Sequence, residues 1–419
     1  MTKSIVVVGG SLAGLMHGLQ LKREGNNVTI LEREPVSERS SHAAGIGYKA
    51  GVEEILRKYD DTGLKTCFTT ENLHFAYRRW PNAYKAKLKY QLTSWGLLYR
   101  VLRANFDGLV SNACPSPPPP RATDGQAAYL TGKQVHDITY SDDTMEVHFT
   151  DTSSGKADSI TADLVIGADG VHSTVREIVK ATATKQYSGY VSWRGTVTEK
   201  ELTESTARYF TNGLAFDVMS RSYMICYVIP TDDGCFDPGE RLINWVWYYN
   251  VAEGSPEMKE LMTASDGRMR SMTVPQGLVS LPVWEKVRAT NTPRMATPFA
   301  ELLNKTSQTF VTKVNDVLCT TACYFGGRVI LVGDAMATFR PHVALSTEQA
   351  AQQCIWMGDV TRGSSTMQEW ERHVSIFAKR IYLLSRLVGE FGQGSVFSFL
   401  RSVFSYLSFM VRLKFKLKL

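Results

Sequence analysis

The sequence predicts an α/β fold. A Rossmann-like nucleotide-binding domain is interrupted by an antiparallel-sheet domain and closed by C-terminal helices. Three observations predict it. An apolar strand runs into a glycine turn, IVVVGGSLAGL at 5–15, and a second strand ends on an acid, VTILERE at 28–34. Two later apolar runs, 163–166 and 328–332, each enter an acidic glycine turn, Ala168-Asp169-Gly170 and Gly333-Asp334. Between them, from about 180 to 290, the pattern changes to strand-like alternation.

The first run, residues 5–8, is β-branched and apolar, which suits a buried parallel strand. Gly9 makes the tight turn, and Gly14 lets the following helix pack close to the strand. The helix start between them points free N–H groups at a pyrophosphate. The usual middle glycine of this fingerprint is Ser11 here. Serine is small and its hydroxyl can donate to phosphate. Glu32, about 20 residues beyond the glycines, is placed to accept from ribose hydroxyls, with Arg33 beside it. A nicotinamide dehydrogenase shows the same segment, so this part alone does not choose the cofactor.

The second segment is DLVIGADGVHSTVR at 163–176, and the third is RVILVGDAMATFRPHVA at 328–344. The three together, in this order, resemble a class A flavoprotein monooxygenase of the para-hydroxybenzoate hydroxylase type. The resemblance spans nearly the whole chain. YSGYVSWRGTV at 187–197, PGERLINWVWYYN at 238–250 and Arg340-Pro341-His342 resemble the 2,6-dihydroxypyridine hydroxylase branch and its fungal relatives.

That resemblance makes the Rossmann-like part an FAD-binding domain, with NADPH or NADH as a transient co-substrate. It places Asp169 near the flavin and the nicotinamide path. Gly333 and Asp334 would bind the ribitol. Pro341 would open a helix whose N–H groups face the flavin pyrimidine, where partial positive charge stabilises reduced flavin. The family's usual P-x-x-G-x-G-x-N is altered: Ala344, Ser346 and Glu348 stand at its matching positions, with Thr347 between the last two. Backbone approach to the ring is more crowded as a result. Within SSHAAGIGY at 40–48, Gly45 is the implied flavin contact. Relatives place an arginine just before the helix predicted over 93–106. Trp95 occupies that position, leaving Arg100 and Arg103 to substitute.

The boundaries predicted are 1–178 for the first part of the FAD-binding domain, 179–290 for a substrate domain and 291–385 for the second FAD-binding part. An apolar, basic tail or helix covers 386–419. Strands are expected at 190–197, 207–216, 223–229 and 243–249. From them Trp193, Arg194, Phe216, Tyr227 and Trp247 are the candidate substrate contacts. CPSPPPPRATDG at 114–125 reads as an exposed insertion without core residues. His342 is the candidate catalytic base, since a neutral imidazole beside the flavin accepts a phenolic proton. The alternative is a histidine at a helix start that hydrogen-bonds locally. His42 and His172 have weaker claims.

Bulk properties agree with a cytoplasmic enzyme. The chain has 419 residues, enough for a large core in one or two domains. Seven scattered cysteines, including Cys319 and Cys323, match no zinc pattern, so no metal is expected. The first strand follows Met1 directly, with no signal peptide expected. A net charge of +6 without a basic aromatic stripe gives no reason to expect nucleic acid. Residues 395–411, SVFSFLRSVFSYLSFMV, precede RLKFKLKL. This tail is a candidate for peripheral membrane contact, and it is short and serine-rich for a transmembrane helix.

Residues and resemblance together imply hydroxylation of an activated aromatic, or epoxidation of an alkene, with O2 through a flavin C4a-hydroperoxide. A lipophilic small molecule fits the aromatic inventory. Two alternatives remain: a non-redox flavin-binding cyclase or scaffold, and a flavin-dependent halogenase. The halogenase W-x-W-x-I-P segment fails here, where Tyr248-Tyr249-Asn250 follows Trp247.

Overall fold

The computed structural model describes residues 2–36, 44–77, 80–141 and 143–415. His42 and Ser40–Ala43 of the SSHAAGIGY segment lie outside the described residues, as do the last four residues of the tail. Ser4–Val8 sits centrally in a six-stranded sheet, parallel to Asn27–Leu31 on one side and Leu164–Gly167 on the other. Ile5 to Val8 are at most 5% exposed, as a strand covered on both faces requires. Val329–Leu331 follows Leu164–Gly167, and Ala127–Leu130 flanks Asn27–Leu31. All three nucleotide-binding turns therefore emerge at the same, carboxyl edge of this sheet, where ligands bind in doubly wound folds.

A large second sheet is mostly antiparallel. Its order runs through Thr273–Val274, Thr309–Cys319, Ala183–Thr198, Leu242–Asn250, Ser222–Ile229, Leu214–Met219, Phe68–Tyr77, Trp80–Ser94 and Gly45–Tyr48. It thus draws strands from 45–94 and 309–319 as well as from 179–290. Leu214–Met219 runs parallel to Phe68–Tyr77, the one parallel join in this path. A three-stranded sheet, Lys133–Ser141, Thr144–Asp151 and Ala157–Ala162, packs beside the first.

Two local expectations are corrected. Residues 207–216 are not one strand. Glu204–Thr211 is a helix that buries Thr206 and Phe210, four residues apart on one face, and the strand begins at Leu214. The proline-rich 114–125 segment is not a detached loop. Cys114 is buried, and Asp124 pairs with Arg23 at 2.6 Å and with Lys22 at 3.3 Å, its side chain 2% exposed. Arg121 adds a pair with Asp61 at 2.6 Å. All seven cysteines are free thiols.

The chain closes with two helices. Met367–Gln393 packs Trp370, Val374, Ala378 and Ile381 into the core of the first sheet. Val396–Lys414 lies against that helix and buries Phe409 alone. By length and composition it is apolar enough to cross a membrane. Arg401, the sixth of its nineteen residues, opposes that, since an arginine within a bilayer is costly, up to about 2.5–3.5 kcal/mol at the centre.

Candidate active site

Two cavities meet at the carboxyl edge of the first sheet. One, of about 240 Å³, is lined by Gly9, Ser11, Glu32, Arg33, Asp169 and His172 among others. The other, of about 360 Å³, lies under the large sheet. Ser11, Ala168 and Gly170 line both, forming the waist. A dinucleotide laid through that waist spans both cavities.

The glycine turn is dictated by close approach. Gly9 has φ +101°, and a Cβ there would stand 2.6 Å from the Ala168 carbonyl oxygen. A Cβ on Gly14 would sit 2.0 Å from the Gly9 oxygen. Ser11 caps the helix Leu12–Arg23 with its hydroxyl making no capping bond, so the group is left for a ligand. Glu32 accepts from the Gly10 N–H at 2.8 Å, which fixes the acid against the turn. Asp169 accepts from the Ser173 hydroxyl at 2.5 Å and the Val175 N–H at 3.0 Å, so it also holds its own helix start.

Asp334 carries the test of whether a flavin nucleotide fits. It lines the larger cavity, and its Oδ1 is buried without a hydrogen-bond partner. Burial pushes its carboxyl up to about 6. A buried carboxylate oxygen left unpaired is costly unless a ligand donor meets it. A ribitol hydroxyl is such a donor. Gly333 is held in place by Gln353, which accepts from its N–H at 2.7 Å. Asn244 Oδ1 accepts from the Gly45 N–H at 2.9 Å, and a Cβ on Gly45 would strike that asparagine at 2.6 Å.

The segment after Asp334 differs from expectation. Pro341 opens only a single 3₁₀ turn, Pro341–Val343. Ala344 then adopts φ +50°, and the long helix starts at Ser346. The break follows from the left-handed residue, where the family's pattern has glycine. Pro341, Ala344, Ser346 and Thr347 all line the larger cavity. Glu348 faces away and accepts from the Gly51 N–H at 2.9 Å.

His342 lines the same cavity. Its Nε2 is 2.5 Å from the Tyr190 hydroxyl, and its Nδ1 meets the Tyr223 hydroxyl. Burial first, then the nearby Arg340 charge, lowers its pKa to about 3. The ring is therefore neutral at physiological pH. It donates through one nitrogen and accepts through the other. Arg340 is itself pinned to Asp316 and Glu390, each at 2.9 Å.

The sheet face divides the predicted substrate contacts. Arg194, Phe216 and Tyr227 line the cavity with Val246 and Tyr248. Trp193 and Trp247 do not. They are at most 1% exposed on the opposite face, where Trp193 packs on Trp284 at 5.2 Å. Successive strand residues point to opposite faces, so Trp193 and Arg194 cannot share a cavity. That parity, together with the pairing of Arg194 with Val246, is the signal that finds Tyr248. Tyr190, Tyr223 and Tyr248 surround His342, and Tyr190 and Tyr248 are absent from the sequence candidates.

Arg100 and Arg103 are not at either cavity. Arg100 bonds the Asp232 carbonyl at 3.1 Å. Arg103 grips Asp107 with two 2.8 Å bonds and the Tyr99 hydroxyl at 2.6 Å. They fall on other faces of the helix Trp95–Asp107. Trp95 itself lines the larger cavity and stacks on Tyr99 at 4.9 Å.

Comparison with known proteins agrees with this geometry. Residues 187–316 match a family model described as FAD binding domain-like. The chain is 27% identical to 2,6-dihydroxypyridine 3-monooxygenase of Paenarthrobacter nicotinovorans over 88% of its length and 86% of the relative's. The solved 2,6-dihydroxypyridine-3-hydroxylase from Arthrobacter nicotinovorans superposes with a TM-score of 0.79, at 25% identity, covering 94% of both chains. The chain is similar to class A flavoprotein monooxygenases, and its relatives support an FAD-dependent monooxygenase. Its cofactor is FAD, with NADPH or NADH as co-substrate. A second relative of this monooxygenase, 6-hydroxynicotinate 3-monooxygenase of Bordetella bronchiseptica, is 29% identical over 45% of the chain and 46% of the relative. These names support the redox reading over a non-redox cyclase, a scaffold or a halogenase.

Proposed function

We propose that this monooxygenase hydroxylates a flat, electron-rich aromatic ring bearing an acidic hydroxyl or carbonyl oxygen. One observation carries the reading. Arg194 lines an aromatic cavity, and its Nε is buried without a hydrogen-bond partner. Phe216, Tyr227 and Tyr248 give ring faces around it. A buried guanidinium donor calls for an acceptor oxygen, and aromatic walls call for a planar body. Bound FAD, reduced by NADPH or NADH, supplies the activation of O2. The protein's residues do the rest. Asp334 and the Ser11 turn hold the cofactor, Arg194 orients the substrate oxygen, and His342, bonded to Tyr223 through Nδ1 and to Tyr190 through Nε2, relays a proton from one tyrosine hydroxyl to the other. The enclosing sheet keeps water away.

The test is nicotinamide oxidation by the purified holoenzyme with a panel of phenols and hydroxypyridines. Stimulated oxidation with a product one oxygen heavier supports the reading. Oxidation that yields only hydrogen peroxide with every such substrate, and an epoxide from an alkene, overturns it in favour of epoxidation.

The exposed apolar helix Val396–Lys414 favours a second feature. We infer that it makes peripheral contact with a membrane from the cytoplasmic side, lying in the interface. Membrane fractionation of the full chain against a chain ending before Val396 tests this. Equal distribution between the fractions removes the inference.

A further inference from the structure

Exposed apolar side chains cluster on this molecule. Among the described residues eighteen large apolar side chains are exposed. Eight of them lie within 391–415, and three more, Trp80, Tyr84 and Leu88, on the strand Trp80–Ser94. Isolated cases are ordinary, but contiguous ones mark interaction surfaces. Tyr90 of this strand lines the larger cavity. Register shifts between Trp80 and Tyr84 and between Lys87 and Tyr90 interrupt the alternation, so contact sets the face: Tyr84 pairs with Phe75, which stacks on the cavity-lining Phe216.

The C-terminal helices reach the same face. Tyr84 packs on Phe75 at 5.8 Å, Phe75 stacks on Phe216 at 4.8 Å, and Phe216 neighbours Tyr223 at 6.3 Å. The last turn of Met367–Gln393 covers Tyr223 so closely that a Cβ on Gly392 would meet its ring at 2.6 Å. Phe391 beside it is 78% exposed and packs 5.6 Å from Phe399 of the final helix. A run of ring contacts through the cavity-lining Phe216 therefore links the strand Trp80–Ser94 to the end of Met367–Gln393, against which the final helix packs.

Charge selects the partner. Lys85, Lys87 and Lys89 lie on the hairpin strand, and Arg401, Arg412 and Lys414 on the helix. Neither segment contains an acid. Arg386 and Arg401 converge with Ser402 and Ser405 on a cleft of about 270 Å³ between the two helices, which suits a headgroup phosphate. Aromatic and aliphatic groups interleaved with cations match an anionic lipid interface.

We propose that the strand Trp80–Ser94 and the helix Val396–Lys414 dock together on an anionic bilayer, with the mouth of the active site between them, so that an apolar aromatic substrate enters from the lipid. The proposal rests on the helix touching membrane and extends it to a second element and to the substrate's route.

The test uses the full-length holoenzyme and sedimentation with phosphatidylcholine vesicles, with and without phosphatidylglycerol. Two double variants are compared, Tyr84→Asp with Leu88→Asp, and Phe397→Asp with Phe404→Asp. All four residues are exposed, and retained flavin absorbance reports an intact fold. Binding that needs phosphatidylglycerol and falls about tenfold or more in each variant supports the proposal. Brominated lipid should also quench wild-type tryptophan fluorescence more than that of Trp80→Phe. If only the helix variant loses binding and Trp80 is not quenched, tail contact stands and joint docking is overturned. If the wild type binds no vesicle, both ideas fall. A dimer that both variants dissociate, without vesicle binding, would make a second copy of this chain the occupant and overturn the proposal.

Discussion

The Tyr190 hydroxyl stands 2.5 Å from Nε2 of His342, and the two residues line different openings. His342 faces the active-site cavity. Tyr190 borders a second cavity with Ser188, Asn250 and Gln393. A neutral imidazole that accepts on one nitrogen and donates on the other passes a proton without storing it. With its pKa lowered to about 3, His342 is a poor resting place for that proton and a serviceable link. Removing the link in His342→Ala should slow oxygenation about 100- to 10,000-fold, the span of general acid–base catalysis, while FAD stays bound. Tyr190→Phe should slow it less and shift the pH profile of product formed per NADPH consumed. If both variants keep the wild-type profile, the histidine only packs the tyrosines.

Asp334 gives a pH prediction. Without FAD its carboxyl is pushed up to about 6, above the ordinary value near 4. The stability this group contributes to the apoprotein is present below that ordinary value and is lost as pH rises through about 6. A ribitol hydroxyl donating to the carboxylate favours the ionised form. FAD affinity should therefore rise as pH climbs from about 4 to about 6. Asp334→Asn should flatten this dependence. Asp334→Ala should weaken FAD by roughly 1.5–3 kcal/mol, the value of a charge-assisted hydrogen bond. FAD titrations across pH decide it, and an equal slope in the asparagine variant would place the ligand elsewhere.

The sequence disclosed the fold where chain-local physics governs it. Ser4–Val8, Leu164–Gly167 and Val329–Leu331 are strands because their residues are almost wholly apolar and continuous, and Gly9 and Asp334 sit at turns that such strands end in. The site was less legible where pairing decides. Trp193 and Arg194 are adjacent letters, yet only one faces the cavity, and the pairing with Leu242–Asn250 says which. Arg103 looks like a cofactor arginine until Asp107, one helical turn on, is seen to hold it. Tyr190 and Tyr223 are 33 positions apart in a chain with many tyrosines, and only the folded sheet brings both to His342.

Arg194 should govern substrate binding. Its Nε has no partner in the cavity, so a substrate oxygen is the acceptor it lacks. Arg194→Met, a neutral change of similar length, should raise KM for a phenolic substrate. A lost charged hydrogen bond of about 1.5–3 kcal/mol corresponds to roughly a ten- to hundredfold change. Flavin content should be unaffected. An unchanged KM with a reduced kcat would assign Arg194 to the reaction step and leave the substrate oxygen to another donor.

Ala344 makes the last case. It holds φ +50°, in the left-handed region where a Cβ crowds the following carbonyl. The conformation is required, because it turns the 3₁₀ segment Pro341–Val343 into the helix that starts at Ser346. Its Cβ also projects towards Gly47, where an added Cβ would stand 3.4 Å away. Ala344→Gly removes the crowding, worth about 1–2 kcal/mol, and gives back about 0.4–1 kcal/mol through the freer unfolded chain. The net expectation is a stabilisation of roughly 0.5–1 kcal/mol in denaturant unfolding. The cavity beside the flavin also widens, so FAD should bind more tightly. A variant less stable than wild type, with FAD affinity unchanged, would show that the methyl group packs usefully and that the left-handed turn is not under strain.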